Sequence, residues 1–418
     1  MQKEFLSPET KENIWKVVFE YKAKREKTLA NLGLDGEKFR DEFRTMKEKI
    51  FSDIENLRRR AVENLSKNGI KVFEASDTAA AQKILKDLTS GDQLIVKAKT
   101  TAADEIDIDA VLGEKLVSTD LGDFIMSISG ARDMHPVFPS FHLTPKQISE
   151  IIKQKFGEDI APDAKSIAAF ARKYLRGKMA AATVGVTGAN VITADGRIVL
   201  LENEGNISLV SRLPDKHIII AGWEKIVPTV DEAMKVVRAA TVWGAGHDWP
   251  VYVSIISGPS KTADIQNELV VGAQGAKEVY LILLDNGRSK MLKDGFEELL
   301  YCINCGACLN FCPAYHQLGT KYGDKYLGSK GIIFSAFMVE LLRAKESGCY
   351  SCTLCSACVE NCPAKIDLPG MMKKIRGKLN EKNLETEENK KMIGNTRKFG
   401  NPFGEISEDG TPKELYCC

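Results

Sequence analysis

The 418-residue sequence predicts an α/β domain built on a mostly parallel sheet, followed by a smaller, mainly helical module that carries the cysteines. Between residues 70 and 290, short runs recur that are apolar throughout, as in strands buried on both faces of a sheet. Helical patterns separate these runs, which is typical of crossover connections between parallel strands. All eleven cysteines lie at or after Cys302, which indicates a separate module.

Composition excludes several classes of protein. Lys and Arg total 58 against 57 Asp and Glu, and this balance argues against non-specific nucleic-acid binding. No run approaches the roughly 18 apolar residues of a membrane span, and the first residues lack the pattern of a secretory signal. The clustered, odd-numbered cysteines do not suit a disulfide framework. We therefore expect a cytoplasmic protein, with any contact to a membrane made through partners.

The first segment, residues 1–69, is predicted to be a helical arm that packs on the following domain. Its apolar residues recur at steps of three or four and draw one stripe, formed by Phe39, Phe43, Met46, Ile50, Ile54 and Leu57. Asn68-Gly69 supplies a helix stop signal. A role in docking a partner is the alternative to this scaffold role.

The α/β domain is predicted to span residues 70–292. The predicted strands are 70–73, 93–96, 115–118, 198–201, 217–221, 251–256 and 279–284. The predicted helices cover about 78–88, 145–156, 163–176 and 230–243. Several of these runs are apolar throughout, and we expect them to form a mostly parallel sheet with the helices as crossovers.

Sheets of this kind bind ligands at the carboxyl ends of their strands. Lys97 and Lys99 follow one strand and are candidates to hold a carboxylate substrate. Asn203, Glu204 and Asn206 follow another, with Glu204 as a candidate proton acceptor. Residues 185–190 are predicted to form a small-residue loop that offers backbone N–H groups to an anion. The alternative is a simple turn at 203–206 and solvated lysines.

The module at 293–372 contains two runs of the pattern C-x2-C-x2-C-x3-C-P. Such runs bind two 4Fe–4S clusters, and the last cysteine of each run ligates the other cluster. The pattern predicts Cys302, Cys305, Cys308 and Cys362 for the first cluster, and Cys352, Cys355, Cys358 and Cys312 for the second. Zinc is the competing metal, but it gives no reason for a triplet, a fourth cysteine and a proline in both runs.

Three further cysteines remain. Cys349 precedes the second run by another C-x2-C step, and it is either a spare buried thiol or a replacement for Cys352.

The apolar stretch at 332–342 favours a helical ferredoxin-type module. In the last segment, 373–418, we expect a basic helix followed by an extended tail beyond Gly394. That tail ends with Cys417 and Cys418, for which the sequence shows no nearby partner.

The sequence also resembles a known family: the iron–sulfur subunits of the bacterial and archaeal lactate-utilisation system, in which a LUD domain precedes a two-cluster ferredoxin module. The resemblance covers about residues 70–370 and joins the cysteine runs to the segments VKAK (96–99), TDLGDFI (119–125), HLT (142–144), GVTGAN (185–190), NEGN (203–206), KIVPT (225–229) and LDNGRS (284–289).

This resemblance implies an α/β fold similar to the ribose-5-phosphate isomerase/CoA-transferase type and an electron-transfer role in oxidising L-lactate or another 2-hydroxy acid. It also implies two partners: a cysteine-rich subunit similar to heterodisulfide reductase and a second LUD-domain protein.

Three features depart from the family pattern: the loop at 322–328, the extra cysteine of the second run, and the tail. The tail resembles the junction that leads into a reductase domain in fused relatives. The alternatives are therefore an α/β domain that itself catalyses the oxidation, or an electron-relay adaptor in a heterodisulfide-reductase-like complex not connected with lactate.

Overall fold

A computed structural model describes residues 5–130, 133–137, 139–140 and 142–413 of the chain. The strands are β1 (Ile70–Ala75), β2 (Ile95–Lys97), β3 (Leu116–Ser118), β4 (Val184–Thr187), β5 (Val191–Thr193), β6 (Arg197–Glu202), β7 (Lys216–Gly222), β8 (Ile226–Val227), β9 (Tyr252–Ile256), β10 (Lys261–Thr262), β11 (Val270–Val271) and β12 (Glu278–Leu284). The helices are α1 (Pro8–Asn31), α2 (Gly36–Ser52), α3 (Ile54–Lys67), α4 (Thr78–Leu88), α5 (Thr101–Glu105), α6 (Ile108–Leu112), α7 (Leu121–Ser129), α8 (Pro145–Phe156), α9 (Ala164–Ala181), α10 (Asn206–Arg212), α11 (Val230–Ala245), α12 (Arg288–Lys293), α13 (Glu297–Leu300), α14 (Ala307–Asn310), α15 (Pro313–Leu318), α16 (Gly328–Met338), α17 (Leu341–Glu346), α18 (Ala357–Glu360), α19 (Leu368–Glu381) and α20 (Glu387–Phe399).

The main sheet has six strands in the order β1-β12-β7-β4-β2-β3, and every neighbouring pair is parallel. Its two longest strands, β7 and β12, are buried along almost their whole length, which explains their apolar sequences. Alternate side chains serve opposite faces of the sheet: Leu281 and Leu283 enter one core cluster, while Ile282 and Leu284 enter another. The predicted α/β class with a mostly parallel sheet is confirmed.

A second sheet corrects part of the prediction. The strands predicted at 198–201 and 251–256 do not join the main sheet; as β6 and β9 they pair antiparallel in a four-stranded mixed sheet of order β8-β5-β6-β9. A strand's apolar run reports burial but does not identify its partner, so the sequence did not separate the two sheets.

The loop predicted at 185–190 is wrong for its first three residues, and only residues 188–190 connect two strands as a loop. Its first part is the buried strand β4, which pairs with β2 and β7. A Cβ at Gly185 would lie 1.8 Å from the carbonyl oxygen of Val210, so glycine is needed where α10 crosses the strand closely. Gly185 therefore serves the packing of α10 on β4.

The N-terminal helices pack on the rest of the chain. The apolar stripe runs down two helices rather than one, because α2 ends before Asp53 and α3 begins after it. Phe43, Ile50 and Leu57 enter the largest core cluster. The guanidinium of Arg40 donates to the carbonyl oxygens of Val359 at 2.6 Å and Cys362 at 2.9 Å, so α2 also braces the second cysteine run.

The cysteine module is built from short helices, with α16 buried on nearly all sides, as the apolar stretch at 332–342 predicted. The tail differs from expectation, since α20 continues beyond Gly394 to Phe399. Cys417 and Cys418 lie outside the described residues. Within the described residues, no helix has both the length and the apolar character needed to cross a membrane.

Candidate iron–sulfur centres and the adjoining cavity

The two cysteine runs share one backbone conformation. Asn304 and Gly306 have positive φ in the first run (58° and 79°), and Leu354 and Ser356 occupy the equivalent positions of the second (57° and 66°). The left-handed region costs a residue with a Cβ roughly 1–2 kcal/mol, and such cost concentrates at functional sites. Turns of this kind direct successive N–H groups into a concavity that favours negative charge.

The thiols fall into two groups, each drawing three cysteines from one run and one from the other. Among neighbouring charges, those of Cys362 and Cys302 act most strongly on the thiol of Cys305. The charges of Cys352 and Cys355 act in the same way on the thiol of Cys312. The remaining thiols follow the same division: Cys308 interacts with Cys302, Cys305 and Cys362, and Cys358 with Cys312, Cys352 and Cys355. The two groups meet where Cys308 also interacts with Cys358.

Backbone N–H groups point at several of these sulfurs. The N–H of Asn304 donates to Sγ of Cys302 at 3.3 Å. Cys312 receives bonds from Tyr315 and Ala314 at the start of α15, and these lower its pKa. Burial has the larger effect and raises the pKa of Cys312 to about 11 and that of Cys305 to about 12, so these thiols need a bound metal to persist as thiolates.

The donor set therefore fits two clusters with four cysteine ligands each. Among the described residues, no three His, Cys, Asp or Glu side chains are placed to hold a single metal ion. A cubane distributes its four thiolates over four iron atoms and so needs a wider spacing.

Cys349 borders the second group, since the charge of Cys352 acts on it, but it also packs against another helix. Its side chain is fully buried, and its sulfur is 3.4 Å from the sulfur of Met372 in α19. Cys355, in contrast, is exposed. The second group thus reaches the molecular surface.

A cavity of about 670 Å³ lies between the carboxyl edge of the main sheet and the first cysteine run. Lys97 at the end of β2 and Ser118 at the end of β3 line one wall, and Cys302, Cys305 and Cys308 line the other. Its place at the carboxyl ends of parallel strands is where open α/β sheets bind ligands.

Both predicted lysines line this cavity, but carboxylates neutralise them. The amine of Lys97 lies 3.1 Å from Asp123 and 3.4 Å from Asp104, and that of Lys99 pairs with Asp133. Burial disfavours the charged amine of Lys97, yet the two aspartates outweigh it and raise its pKa. Enclosure by the protein raises the pKa of Asp104 to about 6, although Lys97 opposes this.

The other predicted pocket residues do not line the cavity. The side-chain oxygen of Asn203 accepts from the Val251 N–H at 3.1 Å, and Glu204 accepts from the Leu121 N–H at 3.1 Å. The amide of Asn206 donates to the Thr119 hydroxyl at 3.2 Å. These hydrogen bonds hold residues 203–206 against the neighbouring segments that contain Val251, Leu121 and Thr119.

The sequence reasoning missed the acidic residues of the cavity and the cationic Lys330. Only Asp123 had a signal, because it lies within the segment 119–125 that carried the family resemblance.

A buried ionic network joins the α/β domain to the cysteine module. Arg288 makes a bidentate pair with Glu105, with both N–O distances at 2.8 Å, and its Nε lies 2.5 Å from Glu224. Glu105 also accepts from Asn286 at 2.8 Å and from the hydroxyl of Tyr326, in the loop before α16, at 2.6 Å. This network fixes the module against the sheet edge that borders the cavity.

An α/β domain joined to two interleaved sets of four cysteines defines a protein of the iron–sulfur, dicluster type. Models of known families agree with this class: a LUD domain matches residues 58–284, and a 4Fe-4S dicluster domain matches residues 298–366. The chain therefore belongs to the LUD-domain family, in the group that also carries a 4Fe–4S dicluster domain, and the predicted resemblance is confirmed.

Curated relatives support the assignment. The chain is 34% identical over 356 residues to lactate utilization protein B of Macrococcus caseolyticus, covering 83% of this chain and 72% of that protein. It is 35% identical over 322 residues to lactate utilization protein B of Geobacillus sp. strain WCH70, covering 75% and 66%. The chain thus spans about two thirds to three quarters of the length of these relatives.

A DUF162 family protein from Deinococcus radiodurans, known from a crystal structure, is 15% identical. The match covers 56% of this chain and 97% of that one, with a TM-score of 0.29, and it adds nothing to the assignment.

Proposed function

We propose that this chain is the iron–sulfur electron-transfer subunit of a multi-subunit oxidoreductase that oxidises L-lactate or another 2-hydroxy acid. The observation that carries the proposal is the division of eight cysteines into two interleaved groups, one bordering a cavity and the other reaching the surface at Cys355.

The ligands in this proposal are Cys302, Cys305, Cys308 and Cys362 for one 4Fe–4S cluster, and Cys352, Cys355, Cys358 and Cys312 for the other. Support comes from the mutual influence of the thiols, the N–H groups directed at the sulfurs and the repeated left-handed backbone. Clusters of this type, when bound, accept and give up single electrons. Cys349 is proposed to be a buried thiol, because its sulfur contacts Met372.

Lactate is proposed as substrate because the curated relatives carry the name lactate utilization protein B. The proposed partners are a heterodisulfide-reductase-like cysteine-rich subunit and a second LUD-domain protein, and the proposed location is the cytoplasm. The exposed Cys355 marks the surface at which a redox partner would approach.

The test begins with anaerobically prepared protein, which should contain about eight iron and eight sulfide per chain. Affinity purification from the native host, followed by mass spectrometry, should then recover the two partners. In that complex, L-lactate should bleach the cluster absorbance, whereas the isolated chain should show no dye-coupled lactate oxidation.

Three results would contradict parts of this proposal. Zinc, or only four iron, would overturn the ligand assignment. Lactate oxidation by the isolated chain would show that the α/β domain is itself catalytic. Recovery of reductase-like partners without lactate-dependent bleaching would favour an adaptor in a complex not connected with lactate.

A further inference from the structure

Three buried or half-buried lysines from separate parts of the fold converge beside the first cysteine group. Lys47 comes from α2, Lys225 from the turn after β7, and Lys330 from α16. Their positive charges repel one another, because Lys225 acts on Lys47 and Lys330 acts on Lys225. We call these three residues the lysine trio.

The packing of α2 places Lys47 beside Cys302. Lys47 is only 2% exposed and shares a helix face with Arg44 and Phe51. The guanidinium of Arg44 and the ring of Phe51 both contact the ring of Tyr301, each at 4.9 Å from its centroid. Tyr301 directly precedes Cys302, and the charge of Cys302 accordingly acts on the amine of Lys47.

The other two lysines reach the same cysteine from different directions. Lys330 lines the cavity together with Cys302, and its amine lies 3.4 Å from the side-chain oxygen of Asn304. The backbone N–H of Asn304 in turn donates to Sγ of Cys302 at 3.3 Å. The charge of Cys302 also acts on Lys225. Cys302 is therefore the cluster ligand on which the trio converges.

A carboxylate also acts on the trio, but it has a closer partner. Glu224 acts on both Lys47 and Lys225. Lys330 in turn acts on Glu224, yet Arg288 is the strongest charged partner of this carboxylate, with its Nε at 2.5 Å. Among the described residues, no carboxylate forms a direct ion pair with a trio amine. The anionic group that the three amines share is thus the first cysteine group.

The second cysteine group has a different environment. Cys355 is exposed to solvent. Apart from burial, the strongest influences on Cys312 and Cys358 are backbone N–H groups and neighbouring thiols. The guanidinium of Arg376 lies nearby, and it donates to the carbonyl oxygen of Cys352 at 2.7 Å. The positive charge of the trio therefore faces the first group rather than the second.

We propose that the lysine trio raises the reduction potential of the first 4Fe–4S cluster relative to the second. Reduction adds one negative charge to a cluster that its thiolates already make anionic, so a fixed cation beside it favours the reduced form. The effect is large where water is excluded. The N-terminal arm is then more than a scaffold, because α2 supplies Lys47 to the surroundings of the first cluster. The inference rests on the two-cluster assignment of the proposed function.

The test is a potentiometric titration of the anaerobic, iron-loaded full chain, followed by electron paramagnetic resonance. Cys305→Ser removes a ligand of the first cluster and so identifies its signal. Lys47→Met removes the charge and keeps much of the side chain, whereas Lys47→Arg keeps the charge. The matched control is Lys49→Met, because Lys49 lies on the same helix but is exposed.

We expect Lys47→Met to make reduction of the first cluster about tenfold less favourable, which lowers its midpoint potential by about 59 mV. The second cluster should change much less, and Lys47→Arg and Lys49→Met should keep both wild-type potentials. The shift should persist in about 0.5 M salt, because salt screens buried charges weakly. If Lys47→Met does not load iron, Lys225→Met takes its place and should shift the potential in the same direction.

Three results would overturn the inference: an unchanged potential of the first cluster in the loaded variant, an equal fall in both clusters, or the same fall in Lys49→Met. With about eight iron in the wild-type chain, such a result would overturn this inference alone. Zinc, or only about four iron, in the wild-type chain would instead overturn the ligand assignment in the proposed function.

Discussion

Replacing Arg288 with methionine tests the buried network that holds the cysteine module against the sheet. Arg288 and Glu105 are fully buried, and Glu224 is 7% exposed. The substitution removes three charge-assisted contacts, takes the ion-pair partner from Glu105 and leaves Glu224 with only the more weakly acting Lys225 and Lys330. Burial raises the pKa of Glu224, but Arg288, with smaller contributions from Lys225 and Lys330, outweighs it and holds that pKa at about 2.

The size of the effect follows from the carboxylates that remain. One of them can escape its unpaired charge by taking up a proton, which costs about 3.7 kcal/mol at pH 7 for an ordinary glutamate. Loss of one partner from a buried ion pair typically costs about 3–5 kcal/mol. We therefore expect Arg288→Met to lower the free energy of unfolding by about 3–5 kcal/mol at pH 7.

The assay is anaerobic urea unfolding of the iron-loaded chain, followed by far-ultraviolet circular dichroism at pH 7 and pH 6. The loss should shrink by up to about 1.4 kcal/mol at pH 6, because protonation becomes easier. Arg59→Met is the control: its pair with Glu63 is more than half exposed on the arginine side, so its loss should cost less than about 1 kcal/mol.

A loss below about 1 kcal/mol in Arg288→Met, or one that does not depend on pH, would refute this reasoning. If Arg288→Met does not fold, the double variant Glu105→Gln/Arg288→Met should recover folded protein, since it removes one orphaned charge.

Three further predictions concern the cysteine loops and the sheet. Cys312→Ser should abolish the electron paramagnetic resonance signal of the cluster held mainly by the second run, whereas Cys349→Ser should retain both signals; loss of the first run's signal in Cys312→Ser would reject the crossed assignment. Gly306→Ala should reduce iron loading, because a Cβ there would lie 2.5 Å from Cε1 of His135 at a φ of 79°, while Ser356→Gly at the equivalent position should load fully; equal iron content in both variants would contradict this. Burial lowers the pKa of His217 to about 3, so the folded state binds fewer protons than the unfolded state between about pH 3 and 6.5, and unfolding free energy should fall by up to about 1.4 kcal/mol per pH unit below 6.5. Urea titrations at pH 7 and 5.5 should show a flatter dependence in His217→Gln, and parallel curves would exclude His217 as the cause.

Much of the local structure was predictable from short-range rules. The helix predicted at 145–156 is observed as Pro145–Phe156, where Thr144 and Gln147 form a capping box and Gly157 ends the helix at a positive φ. Prediction failed where one local pattern fits two kinds of structure. In β4, a glycine in a buried strand was interpreted as the start of a loop.

The candidate site was likewise predictable only in part. The cysteine spacing alone predicted two crossed ligand sets, because metal-ligand spacing within a run is a local property. It also placed Lys97 and Lys99 at a strand end, where the cavity is found. It did not show that Asp104, Asp123 and Asp133 neutralise them, since ion pairs form between side chains that the chain brings together only on folding.

The sequence by itself determined the α/β class and the dicluster module, because hydrophobic period, caps and cysteine spacing act over a few residues. Only the tertiary structure decided which charged side chains meet. Lys330 meets the cavity from α16, more than 200 residues along the chain from Lys97, and Arg288 reaches Glu105 across a similar gap in sequence. Such contacts depend on how the whole sheet and the cysteine module pack, and no local pattern encodes them.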